Sequence, residues 1–166
     1  MKVRELPLPM SDTTTVTRVL VAMNIPYRLF RHPGPMHSLE QAARERGQTP
    51  DQVVRSLVFR LGKGEYVMVL IAGARQVSWP ALRRSLGQSR LTLASEAELL
   101  AATGYEIGAV SPFGLLSPMR ILLDESVLAQ DEISLGSGER GATVILRTED
   151  LLRALGDAEV GQYGEA

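Results

Sequence analysis

Val54-Arg55-Ser56-Leu57-Val58-Phe59-Arg60-Leu61, Gly62-Lys63-Gly64 and Glu65-Tyr66-Val67-Met68-Val69-Leu70-Ile71 form the clearest hairpin pattern in the chain. Two runs rich in β-branched and apolar residues flank a tight glycine turn, which predicts two paired strands. The second run is almost wholly apolar, so it is expected to be buried on both faces. Upstream, Thr49-Pro50-Asp51-Gln52 reads as a capping box with proline at the first helical position, enough for a turn or two. Ser38 with Gln41 makes another box, for a helix to about Arg46 that Gly47 ends. Tyr27 to Arg31 reads as a short strand, and His32-Pro33-Gly34-Pro35 as a break. A first helix is capped by Ser11 or Asp12 and runs to about Met23, with Val16, Val19, Leu20 and Met23 on one face.

Downstream of the hairpin, Ser78-Trp79-Pro80 begins a helix that Gly87 closes, and Ser95-Glu96-Ala97-Glu98 caps another to about Ala102. Met119 to Asp124, Asp131 to Leu135 and Thr143 to Arg147 read as strands, and Thr148 caps a last helix to about Leu155. Strands and helices mix without regular alternation. The expected fold is therefore α+β, with a mixed, largely antiparallel, curled sheet and helices around it. Residues 1–11 are expected to be a flexible proline-bearing arm, 12–155 a single domain, and 156–166 a short polar tail that frays.

Composition excludes several kinds of chemistry. The 166 residues include no cysteine, so there is no thiol nucleophile and no disulfide. With only His32 and His37, a histidine metal site is not expected, and nothing calls for a cofactor. The 18 basic and 19 acidic residues leave a net charge of −1, so any RNA contact must be local, and DNA binding is not expected. No apolar run is long enough for a membrane span and no signal sequence is visible, so the cytoplasm is the expected location.

Gly104-Tyr105-Glu106-Ile107-Gly108-Ala109-Val110-Ser111-Pro112-Phe113-Gly114 stands apart, with three glycines, one proline and one charge. Glycine lets a ligand approach the main chain, and Pro112 biases Ser111 away from helix. The stretch is either a helix-to-strand connection or a main-chain cradle for a carbonyl oxygen or phosphate.

The order of these segments resembles a known family. A strand ending in His32-Pro33 is followed by Pro50-Asp51-Gln52-Val53-Val54-Arg55-Ser56-Leu57-Val58, then Leu93 to Glu98, Thr103-Gly104-Tyr105 and Gly108 to Gly114. Leu122-Leu123-Asp124-Glu125-Ser126, Gly136-Ser137-Gly138 and Thr148-Glu149-Asp150-Leu151 complete the series. This is similar to the YbaK/ProX family, free-standing relatives of the editing domain inserted in bacterial prolyl-tRNA synthetases, over about residues 12–155. The resemblance implies a barrel-like mixed sheet and trans editing: hydrolysis of the ester joining a wrong amino acid to the 3′ end of tRNA. It also implies the aminoacyl-tRNA acceptor end as partner, with a cognate synthetase as a second candidate.

The resemblance places the Gly-x-x-x-Pro loop at the acyl ester. It assigns oxyanion donors to the backbone N–H groups of Gly108, Ala109, Val110 and Ser111, with Pro112 holding the loop. The chain departs from the family at Arg55, where active members commonly carry lysine. Arginine stays charged and cannot act as a general base, but its fork can hold a phosphate, ribose or carbonyl oxygen. His32, His37, Phe30, Phe113 and Ser137 are further candidates for contact with substrate. Each has a plainer reading as a packing, turn or surface residue. Arg75, Arg83, Arg84 and Arg90 read either as contacts to acceptor-stem phosphates or as a solvated face. A different class of function stays open: a non-catalytic module of the same fold that binds a nucleotide or the aminoacyl-tRNA end, its turnover lost with arginine at position 55. A third is an unrelated carbonyl-binding or regulatory domain.

Overall fold

The computed structural model describes residues 13–165. The expected arm, and the Ser11 or Asp12 cap, lie outside the described residues. Helix α1 (Thr15–Ala22) is capped by Thr14, whose hydroxyl accepts the Thr17 N–H. The predicted hairpin forms, with β2 (Val54–Gly62) antiparallel to β3 (Glu65–Ala72) and Leu57 opposite Val69. From Val67 to Ile71 the side chains of β3 are fully buried, because both faces of this strand are covered. Met68 and Leu70 enter one apolar cluster, with Val110, Leu135 and Val144; Val67, Val69 and Ile71 enter a second, with Phe59 and Leu82.

The short β4 (Thr92–Leu93) pairs with β2, while β5 (Arg120–Asp124) runs parallel to β3. Parallel neighbours need a long crossover. Residues 73–119 supply it, carrying α3 (Trp79–Leu86), α4 (Glu96–Thr103) and the glycine loop. With β8 (Glu159–Gly161) at its far edge, the resulting sheet has the order β4-β2-β3-β5-β8. A separate antiparallel sheet, β1-β7-β6, is built from β1 (Arg28–Arg31), β7 (Ala142–Arg147) and β6 (Glu132–Gly136). The α+β class and mixed pairing are those expected. The curled sheet is realised as two sheets, tied by a parallel bridge from Val53 to Ser134. Helices α2 (Leu39–Glu45), α5 (Glu125–Leu128) and α6 (Thr148–Leu155) complete the domain.

Two local readings change. At α2 the Ser38 hydroxyl accepts the Gln41 N–H at 2.9 Å, but the Gln41 side chain accepts from His37 N rather than from the cap residue. The segment after α6 does not fray. Glu159–Gly161 forms β8 beside β5, Tyr163 is buried, and Ser78 N donates to Tyr163 O at 2.8 Å. Main-chain pairing and a single aromatic anchor hold it, which a polar composition does not reveal.

Candidate functional site

A cavity of about 330 Å³ opens between the first half of β2, the 104–114 loop and the facing ends of β6 and β7. Gly108 and Val110 of the loop form part of its wall, as do Arg55 and Ser56 of β2, with His32, Arg46 and Gly136. Leu93 and Ile107 also line it, and both are 56% exposed. No carboxylate lies on this wall, and its formal charge comes from two arginines. Among the described residues no group of three acidic or histidine side chains could hold a metal ion.

The loop is fixed on several sides. Ala109 N donates to Glu106 O at 3.0 Å, closing a four-residue turn with Gly108 third at φ +88°. That position favours glycine. Gly138 N donates to Ala109 O at 3.0 Å, and a Cβ added at Gly136 would stand 2.0 Å from Val110 O. Main chain therefore touches main chain between β6 and the loop. Ser111 is fully buried, its hydroxyl accepting the Phe113 N–H at 3.2 Å. Pro112 is buried beside it.

Of the four N–H groups expected as oxyanion donors, that of Ala109 is used inside the turn, and Ser111 is not on the wall. The N–H groups of Gly108 and Val110 donate no hydrogen bond among the described residues, and both residues line the cavity.

Tyr105 anchors the far end of the loop, its buried hydroxyl donating to Phe113 O. Burial pushes this phenol up to about 12. A raised folded-state pKa means stability that is present below the free tyrosine value and lost as pH rises through the folded one. Wild type is expected to lose stability between about pH 10 and 12 more steeply than Tyr105→Phe. At neutral pH the variant should be about 1–3 kcal/mol less stable, because the Phe113 carbonyl is left unpaired. Urea unfolding at pH 7, 10 and 12 measures both; parallel pH curves for the two proteins would contradict the assignment.

Arg55 meets main chain. Its Nε donates to Gly73 O at 2.8 Å and its Nη2 to Arg75 O, and burial lowers its pKa. Strand alternation puts it on the face of Leu57 and Phe59, opposite that of Val54, Ser56 and Val58. His32 is on the wall with its side chain almost sealed. Its Nδ1 stands 2.6 Å from Glu45 Oε1, while Arg46 Nε donates to Nε2 at 3.2 Å. With Nε2 accepting from Arg46, the hydrogen on Nδ1 faces Glu45. Glu45 is held below the usual carboxylate range, first by the His32 hydrogen bond and then by that from Gln41.

The remaining candidates lie off the wall. Phe30 packs edge-to-face on His32 at 4.9 Å, and His37 is exposed before α2. Phe113 belongs to the core cluster. Ser137 is fully buried, with Oγ 2.9 Å from Ala142 O and 3.1 Å from Glu139 O, so it holds the β6–β7 turn. Arg84 and Arg90 are exposed near the end of α3.

Three wall residues escape a reading by motif. Arg46 sits past the last helical residue, where it reads as a helix-end cation; Gly136 reads as part of a turn. Ser56 Oγ is buried without a hydrogen-bond partner, a group that an occupant of the cavity would be expected to satisfy.

Comparison with known proteins identifies the family. Residues 33–154 match the family described as the aminoacyl-tRNA editing domain. The chain is 27% identical over 149 residues to the prolyl-tRNA editing protein ProX of Acetoanaerobium sticklandii, covering 87% of this chain and 90% of that one. It is 30% identical over 131 residues to the multifunctional Ser/Thr-tRNA deacylase ProXp-y of Escherichia coli K12, covering 76% and 78%. A crystal structure of a candidate trans-editing enzyme for prolyl tRNA synthetase superposes with a TM-score of 0.85 at 27% identity, covering 96% of this chain and all of that one. With its fold and nearly three-quarters of its length in agreement, the chain belongs to the aminoacyl-tRNA editing domain family.

Proposed function

We propose that the protein hydrolyses, in trans, the ester of mischarged aminoacyl-tRNA. The observation that carries this reading is the pair of unengaged N–H groups, of Gly108 and Val110, on a loop pinned by Gly136, Gly138 and Tyr105. The acyl carbonyl lies with its oxygen toward these donors. Water adds to the carbonyl carbon, and the oxygen becomes an oxyanion that the two N–H groups stabilise. Such a donor is worth about 3–4 kcal/mol in the transition state. Collapse breaks the bond to the ribose oxygen, which leaves as a hydroxyl, and the amino acid is released. No wall side chain takes up the proton. The arginines stay charged, and the acceptor nitrogen of His32 already bonds Arg46. The attacking water's proton passes, through a second water or a hydroxyl of the substrate itself, to the departing ribose oxygen.

The ligand is the acceptor end of tRNA, with its terminal nucleoside against Leu93 and Ile107 at the mouth. A synthetase that delivers the tRNA is a second partner on this reading. Few phosphates are neutralised, so log affinity against log salt is expected to have a slope of about −2 to −4. A slope near −8 would require a broad RNA surface.

The deciding measurement is release of amino acid from a panel of mischarged tRNAs, with Ala-, Cys- and Ser-tRNA among them. Release well above the spontaneous rate from at least one is expected. Binding of a non-hydrolysable aminoacyl-adenosine amide without hydrolysis of any ester would instead establish the non-catalytic module.

A further inference from the structure

We propose that Arg46, and not Arg55, is the cation that meets the substrate in this cavity. The inference rests on the hydrolytic reading above and concerns which side chain serves it. Both arginines line the cavity, but they are held differently. The Arg55 fork is directed onto the carbonyls of Gly73 and Arg75, and its side chain leaves β2 on the face of Leu57 and Phe59. Its positive charge is already partnered by main-chain dipoles. Arg46 is oriented from behind, with Nε donating to His32 Nε2 at 3.2 Å and Nη1 to Ser134 Oγ at 2.6 Å. Its Nη2 bonds nothing among the described residues and is not sealed from solvent.

The support behind Arg46 is itself fixed. Glu45 receives His32 through Oε1 and Gln41 through Oε2, so its carboxylate is engaged and does not cross the cavity to neutralise the guanidinium. Burial works against the charge of Arg46, with Glu45 as the opposing influence. A half-buried guanidinium with an open nitrogen, beside a largely apolar wall that carries no carboxylate, favours an oxygen acceptor on the ligand. Arg46 also reaches the strand that backs the loop. Ser134 lies two residues before Gly136, which packs on Val110 O, and two strand residues span roughly 7 Å. The cation and the donor loop are thus within the reach of one aminoacyl-nucleoside. The oxygen that Arg46 meets belongs either to the acyl group or to the terminal phosphate. His32 and Glu45 are positioning residues that act through Arg46.

The test compares wild type with Arg46→Met, Arg46→Lys, Arg46→Ala and Arg55→Met. Substrates are a mischarged minihelix and the matching aminoacyl-adenosine, which has no phosphate. Thermal midpoints are recorded for every variant. Arg46→Met is expected to lose about 10- to 100-fold in kcat/KM, with Arg46→Lys recovering part of the loss. Added ethylguanidinium should raise the rate of Arg46→Ala and leave wild type unchanged. Arg55→Met should lose less than Arg46→Met. A loss on both substrates assigns the acyl oxygen, and a loss on the minihelix alone assigns the phosphate; either supports the proposal. Arg46→Met within about threefold of wild type, or a loss tracking a lowered midpoint with no guanidinium rescue, would overturn it. If wild type cleaves no ester, the hydrolytic reading fails by itself. Binding of the aminoacyl-adenosine amide and its 5′-phosphate then decides: at least tenfold weaker binding of either by Arg46→Met supports the proposal, and equal binding of both refutes it.

Discussion

Gly136→Ala is expected to lower deacylation by about 100-fold or more, chiefly in kcat, while the protein still folds. The added methyl would stand 2.0 Å from Val110 O, 2.8 Å from Val110 C and 3.1 Å from Ala109 C. These are main-chain atoms, which no rotamer change moves aside. The loop must shift by about 1.4 Å to bring the 2.0 Å approach to ordinary contact at 3.4 Å, and such overpacking costs about 1–3 kcal/mol of stability. The larger consequence is chemical. Displacing Val110 also turns the two N–H groups proposed to meet the oxyanion, and it strains the Gly138 to Ala109 hydrogen bond of 3.0 Å. Oxyanion donors act through pre-set position, so a small displacement removes most of their effect. Gly34→Ala is the control, since nothing lies within 4 Å of its added methyl and its φ is not in the left-handed region. Steady-state kinetics with urea unfolding of both variants separates the two effects. Gly136→Ala with wild-type kcat would mean that loop position does not govern the chemistry.

The hairpin, the caps at Ser78 and Ser95 and the α+β class were legible because each is written in neighbouring residues. Strand alternation, a glycine turn and a Ser-x-x-Glu pattern are short-range signals. The glycine loop was legible through its glycines, its proline and its place in the segment order. What stayed hidden depends on distance in the chain. Arg46 becomes a cavity residue only because α2 carries it to Ser134, 88 positions away. Gly136 serves a turn in sequence and a close backbone approach in space. Arg55 carries a charge that motif reading sends toward substrate, whereas the carbonyls of Gly73 and Arg75 hold it. Ser137 and Phe113 occupy motif positions but are turned inward, and only packing decides that. The separation into two sheets is equally non-local, since it turns on which edges β5 and β7 find.

Asp124→Ala is expected to cost about 3–5 kcal/mol of stability and to release the C-terminal segment. Asp124 ends β5 and is 2% exposed. Its Oδ1 accepts the N–H groups of Tyr163 at 2.7 Å and Gly164 at 3.0 Å, and its Oδ2 accepts that of Ser126 at 3.0 Å. One carboxylate thus caps α5 and holds the strand-like chain after β8. Hydrogen bonds to a charged group contribute about 1.5–3 kcal/mol each, but three that share one side chain act together and sum to less. Alanine leaves buried donors unpaired, and the parallel pairing of Leu122, Leu123 and Asp124 with Glu159, Val160 and Gly161 loses its anchor. Asp124→Asn keeps one acceptor oxygen for Tyr163 and Gly164 and loses the α5 cap, so about 1–2 kcal/mol is expected. Urea unfolding gives the free energies, and hydrogen exchange at the Tyr163 and Gly164 amides shows where protection is lost. If the carboxylate acts through this segment, Asp124→Ala should cost far less in a chain that stops at residue 157. Equal costs in the two backgrounds would place its effect at α5 instead. None of these bonds borders the cavity, so kcat measured well below the unfolding midpoint should stay near wild type for both variants.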